Sequence, residues 1–295
     1  MVFTPITGTV SDVLYGFESS FRSGGTPDKR LGLNLRVDRF SVNRAYNRVY
    51  TLGSRRFVGD VPMRWSASFG MSAIMSSKDV FGFALVGGET GYSFDESVIP
   101  SAVVAVYMGG NVVTLKGFVA RTISMNIRAT DFVTVSVDGL AAEVSTGSGS
   151  ATFSPPTTAY TYAGASITFG GGGITHGSNI MITSMTMRIE QNPNFVYALG
   201  DDKAALVYPR QFVVTGSING YITDLSVLEA LMSDANIASI SVTLNGVNVE
   251  TGGSAGSITI NLTDIAKIEN VSYSVAPAEA VTVSFDYAAK TIAVS

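Results

Sequence analysis

Apolar and hydroxyl side chains alternate with period two along much of this chain. Val133-Thr134-Val135-Ser136-Val137, Ser239-Ile240-Ser241-Val242-Thr243-Leu244, Ser257-Ile258-Thr259-Ile260-Asn261-Leu262 and Val281-Thr282-Val283-Ser284-Phe285 all follow the rule. That period puts one row of side chains on each face of a strand, so it predicts half-buried β-strands with Ser and Thr on the outer face. Gly109-Gly110-Asn111, Gly170 to Gly173 and Gly252-Gly253 separate the strands as turns. Helical spacing is rare. It predicts a helix from Asp224, a capping residue, to Asp234, with Leu225, Leu228, Leu231 and Met232 on one face, and a weaker one from Ser77 to Val86. Two stretches, Tyr46 to Val61 and Asn192 to Tyr208, read as long loops.

The pattern occurs twice. Asn47-Arg-Val-Tyr-Thr-Leu-Gly53 returns 147 positions later as Asn194-Phe-Val-Tyr-Ala-Leu-Gly200, and Pro62 returns as Pro209. The two helical segments hold the same offset, and Val133 to Asp138 matches Val281 to Asp286 at 148. A register kept over about 90 residues in a chain of 295 implies tandem duplication. The expected domains are 1–147 and 148–295, divided near the Ser/Thr/Gly/Pro-rich stretch Ser145 to Pro156. Each half reads as a long strand, a loop with Tyr-x-Leu-Gly and Pro, a second long strand, a short helix and three or four closing strands. The fold class expected is mostly β: two tandem sandwich or barrel domains with one short helix each.

Composition narrows the chemistry. Lys+Arg is 19 and Asp+Glu 23, a net charge of -4, with charged residues at 14%. A protein that grips nucleic acid by its phosphates needs a basic surplus, which is missing. With no cysteine and one histidine, disulfides, zinc–thiolate sites, iron–sulfur clusters and multi-histidine metal sites are excluded. No run of about 18 apolar residues occurs, and Met1 to Pro5 lacks the basic start and apolar core of a secretion signal. His176 has no companion nucleophile and reads as a loop residue. Gly170 to Gly173 lack the lysine of a phosphate loop and run into a strand. Asp95-Glu96 and Asp201-Asp202 are adjacent loop carboxylates without further oxygen ligands. No catalytic, cofactor or metal residues are expected.

The segment Asn-x-x-Tyr-x-Leu-Gly with its downstream Pro, the apolar run Gln211 to Ile218 leading into a helix, and the closing β run together resemble the tail tube proteins of tailed bacterial viruses. The resemblance covers most of both halves. It implies a structural virion protein with no enzymatic activity and no cofactor. It also implies β domains in rings of six that stack into a genome conduit, and three chains per ring where the domain is duplicated. The implied partners are further copies of the chain, other tail proteins such as sheath, tape measure or terminator, and passing DNA, with assembly in the host cytoplasm and no membrane insertion. The equivalent loops pack onto the neighbouring ring, which would assign ring stacking to Asn47, Tyr50, Leu52, Gly53 and Pro62, and to Asn194, Tyr197, Leu199, Gly200 and Pro209.

Charge separates the halves. Residues 1–147 hold 14 basic and 12 acidic groups, and residues 148–295 hold 5 and 11. Unlike signs favour a ring that alternates first and second halves. Arg48, Arg55 and Arg56 in the first loop are expected to face Asp201 and Asp202 of another subunit, leaving a neutral or acidic bore. Neither loop is expected to find a seat within an isolated chain. A carbohydrate- or receptor-binding β-sandwich of a virion fibre is the competing reading; an outer-membrane barrel and an enzyme fit less well.

Overall fold

A computed structural model describes residues 10–50, 57–151, 153–199, 201–232, 237–274 and 280–295; at 11, 44–50, 57–65, 164, 266 and 267 it describes the backbone alone. The first half contains β1 (Val10–Phe17), β2 (Gly32–Tyr50), β3 (Phe57–Met75), a 3-10 helix (Lys78–Phe83), β4 (Val86–Gly88), β5 (Gly91–Ser93), β6 (Ala102–Met108), β7 (Asn111–Arg128), β8 (Thr134–Ala141) and β9 (Glu143–Ser148). The second contains β10 (Thr158–Gly170), β11 (Ile180–Gln191), β12 (Asn194–Tyr197), β13 (Ala204–Tyr208), β14 (Phe212–Ile222), α1 (Ser226–Met232), β15 (Ser239–Asn248), β16 (Ser254–Ser274) and β17 (Val281–Val294). The chain is mostly β, as expected, with these two helices among the described residues. Among the described residues no helix is long and apolar enough to cross a membrane.

One order of antiparallel pairing runs through both halves. In the first it is β1-β6-β7-β8-β3-β2, and in the second β10-β15-β16-β17-β14-β11. Each half depends on one long strand that serves two layers. The first part of β7 pairs with β6 and β9; its second part pairs with β8. β16 does the same with β15 and β17. The change of direction falls at Gly117, with φ 59°, and at Asp264, with φ 52°, which occupy corresponding positions. Left-handed backbone suits Gly and is tolerated by Asp better than by β-branched residues.

The second parts of these strands build a continuous sheet in the order β16-β17-β14-β11-β7-β8-β3-β2. One face of it is covered by β1, β6, β10, β15 and the helices, and a single apolar cluster draws residues from both halves, including Phe69, Phe118, Met187 and Phe285. The other face is open. The alternating rows thus have one buried and one solvated side, as the sequence pattern requires.

Three details differ from expectation. The two long loops are mostly strand: β2 and β3 stay paired as far as Tyr50 and Phe57, and β12 and β13 form a hairpin. The segment after Ser77 is a tight 3-10 turn, because Val80, Phe81, Gly82 and Phe83 are all buried and a Cβ on Gly82 would lie 2.5 Å from the Phe17 ring. In α1, Asp224 accepts from the Ser226 N–H at 2.9 Å as anticipated, but Val227 and Leu231 face inward while Leu225 and Met232 are exposed.

The halves solve one packing problem in opposite ways. In the first, Phe69 on β3 faces Gly139 on β8; in the second, Gly216 on β14 faces Tyr287 on β17. A Cβ on Gly216 would lie 2.1 Å from the Thr186 carbonyl oxygen and 2.4 Å from the Tyr287 hydroxyl, which itself donates to that carbonyl at 3.0 Å. At Gly139 a Cβ would lie 2.3 Å from the Val119 carbonyl oxygen and 2.7 Å from the Phe118 ring, so both glycines are held by backbone as well as by a ring. Gly216→Phe and Tyr287→Gly should each destabilise the chain by about 3 kcal/mol or more in urea unfolding, and the double variant should not recover the Gly216→Phe loss, because the Thr186 carbonyl is backbone and stays in place. Recovery of most of that loss in the double variant would refute the interpretation.

Candidate assembly surfaces

Three surfaces are built by this fold: the junction between the halves with its counterpart edges, the open polar face, and the two arms. At the junction, β11 pairs antiparallel with the outer edge of β7 from Ser184↔Arg128 to Glu190↔Thr122. Met187 and Ile189 lie opposite Met125 and Ile123 there, and all four are buried. The positions 147 earlier than Met187 and Ile189 are Phe40 and Val42 on β2. Among the described residues the outer edge of β2 has no strand partner, and these two side chains are 38% and 37% exposed, against 1% and 0% for Met187 and Ile189. The counterpart of Met125 is Tyr273 on β16, because Met125 pairs with Val135 as Tyr273 pairs with Val283. Tyr273 is 56% exposed, on an edge that also lacks a described partner. The chain therefore carries one completed edge contact and both complementary parts of a second.

The open face is lined with short polar side chains. One row across it reads Thr134, Asn126, Thr186, Ser217, Asp286 and Glu269. Another reads Ser72, Ser136, Ser124, Arg188 and Thr215. Thr186 and Ser217 hydroxyls are 2.9 Å apart, and Asn219 donates to Ser184 Oγ at 3.1 Å. Two arginines of this face have carboxylate partners, Arg39 with Asp138 at 3.4 Å and Arg188 with Glu190 at 2.7 Å, and Arg36 and Arg128, opposite Ser72 and Ser184, lie on it as well. Asn270 donates to Asp286 at 2.8 Å.

The arms carry the residues singled out in the sequence. Leu52, Gly53, Arg55, Arg56 and Gly200 lie outside the described residues, and Asn47, Arg48, Tyr50 and Pro62 are placed by backbone only, within the paired ends of β2 and β3. Asn194 and Tyr197 are half-buried on β12, Leu199 is fully exposed at the hairpin end, and Pro209 lies at its base. The second arm has a seat within its own chain, contrary to expectation. Arg22 lies 3.4 Å from Asp201 and donates to the Ala204 carbonyl at 2.8 Å. Lys203 reaches Glu143 at 2.6 Å, and the Phe21 and Phe195 rings are 5.8 Å apart. Asp201 thus meets a first-half arginine, but one from the β1–β2 connection that spacing alone did not single out. Asp202 also has an interaction partner. The hydrogen bond from Lys203 holds the Glu143 carboxyl below its ordinary 4.5 despite partial burial, with Arg22 and Lys116 adding to the effect. Backbone donation from Lys203 likewise lowers Asp201.

Among the described residues no group of His, Asp or Glu is placed to hold a metal ion. His176 accepts from the Ile182 N–H of β11 at 3.2 Å. A family model described as phage tail tube protein matches residues 8–289. No curated protein matches the chain.

The Glu143–Lys203 contact makes the arm sensitive to acid. Because the folded carboxyl is held low, its contribution is complete above 4.5 and is lost as pH falls through the folded value. Glu143→Gln should weaken the seat by about 0.5–1 kcal/mol at neutral pH, since the pair is partly exposed and screened. Amide exchange in Asn194–Tyr208 should then be several-fold faster than in wild type at pH 7, with the difference vanishing in acid. Equal exchange at pH 7 would contradict this.

Proposed function

Because this chain belongs to the phage tail tube protein family, we propose that it assembles into closed rings of three chains, stacked into the tube through which the genome is delivered. The family makes it a structural component of the virion tail that works with itself and with other tail proteins. The observation that carries the ring is the unmatched edge. Phe40 and Val42 repeat the buried Met187 and Ile189, and Tyr273 repeats the buried Met125. A second copy that docks β2 on β16 as β11 docks on β7 sets Phe40 opposite Tyr273, as Met187 stands opposite Met125. An exposed, partly apolar strand edge is a hazard unless something pairs with it, and repetition of one such contact closes a ring. Each junction then joins a first half to a second half. The repeated sequence and repeated strand order support a duplicated domain, with halves 1–147 and 148–295, so three chains supply six domains.

In this reading the open polar face is the bore. Its hydroxyl and amide rows offer DNA little to bind, and two of its arginines, Arg39 and Arg188, are engaged by carboxylates, which leaves Arg36 and Arg128 among its remaining cations. The arms project from the ends of the sheet opposite α1. Leu199, together with Leu206 and Tyr208, presents apolar surface on the second arm for the adjoining ring. Arg48, Arg55 and Arg56 give the first arm its charge for contact with acids of a neighbouring copy, although Asp201 is already held by Arg22.

Phe40→Lys with Val42→Lys tests the ring. Both side chains are exposed in the single chain, so the variant should keep its thermal stability within about 1 kcal/mol. It should give no rings or tubes by negative-stain microscopy at concentrations where wild type forms them. Normal tubes from a folded variant would refute β2 as the closing edge, and rings of six chains would refute the trimer.

A further inference from the structure

The longest difference between the halves lies after the helix. Leu115 and Leu262 are 147 residues apart, but their strand partners Val104 and Ile240 are only 136 apart. The first half therefore has about eleven extra residues between its helix and β6. They form a hairpin, β4–β5, and a following segment as far as Pro100. This insertion acts as a strap, because it leaves its own half and joins the other. Tyr92 and Ser93 pair with Val294 and Ala293 on β17, and the Phe94 N–H donates to the Ile292 carbonyl at 3.3 Å. The Phe94 ring stacks on Phe212 at 4.0 Å. Gly91 passes so close to β17 that a Cβ there would lie 2.8 Å from the Val294 carbonyl oxygen.

The same strand, β5, is also anchored in the first half. The Tyr92 hydroxyl donates to Asp79 at 2.6 Å, and Lys29 holds the same carboxylate at 3.0 Å. Nearby, the buried Gln191 of β11 donates to the Phe83 carbonyl at 3.1 Å. The second half has no corresponding insertion, so it cannot extend a strap to a neighbouring copy. The contact between halves of one chain thus includes a strap that the same edge contact between chains would lack.

We propose that the strap locks the two halves of one chain into a preassembled block, so that the covalent link through residues 149–157 is dispensable once the chain has folded. The partner surface is the end of β17 beyond its pairing with β14, together with the Phe212 ring. This inference does not rest on the tail-tube reading.

The test is a full-length protein with a protease site inserted between Ser154 and Pro155, cleaved after folding. The two fragments should co-elute at the volume of the intact chain. In sub-denaturing urea, Phe94→Ala and Gly91→Val should make the cleaved halves separate at least about tenfold faster, since each removes ring stacking or strand pairing. Phe94→Leu, which keeps apolar bulk and loses the stack, covers the case in which a harsher variant fails to fold. Its near-ultraviolet circular dichroism before cleavage verifies the native fold. Separation of the cleaved wild type without denaturant would overturn the proposal. So would unchanged separation rates in a folded strap variant.

Discussion

Pairing of β11 with the outer edge of β7 is the contact on which the rest of this structure depends. A strand edge carries a row of N–H and C=O groups that must find partners, and each pairing that satisfies one edge presents another. In this chain the β7 edge is met by the second half, which turns two small β units into one sheet with one core. For β7 to offer that edge it must first leave the outer layer. The left-handed residue Gly117 lets it do so, and Asp264 does the same for β16. The same geometry leaves β2 and the second part of β16 as the ends of the run among the described residues. An open run ending in two complementary edges is a shape suited to a repeating assembly, and this is where membership of a tail tube family meets the physics of the sheet.

Similar halves do not carry similar chemistry. The exchange of Phe69–Gly139 for Gly216–Tyr287 preserves the volume across a strand pair while moving the ring to the other strand. Cores tolerate such exchanges when total volume is kept. The first half contributes the strap and Arg22, while the second contributes Phe212 and Lys203 that receive them or reach back. The divergence of the halves lies in what each offers the other. Their charge difference belongs here too, because the ion pairs seen between halves join Arg22 to Asp201 and Lys203 to Glu143.

Much of the fold was legible in the chain. Period-two alternation located strands such as β8, β15 and β17, since burial of one face acts on every second residue whatever the neighbouring strand is. The repeat at 147 located equivalent positions in the halves. The arms misled because Gly, Pro and charged residues suggest loops. They remain strands because each is one end of a long hairpin whose pairing carries on past the core. Leu225 and Met232 misled because a short helix can present several faces, and only the position of the sheet beneath α1 selects Val227 and Leu231.

By itself the sequence determined the β class, the absence of thiol chemistry, the lack of a basic surplus and the two equivalent registers, because composition and periodicity are local properties of the chain. Only the tertiary structure decided which edges are satisfied. Phe40 and Met187 occupy equivalent positions in equivalent strands, yet one is exposed and the other buried. The difference lies in a partner strand some sixty residues away from Met187 in sequence, on β7. Pairing between distant strands is set by how the whole chain folds back on itself, and no local pattern of side chains encodes it.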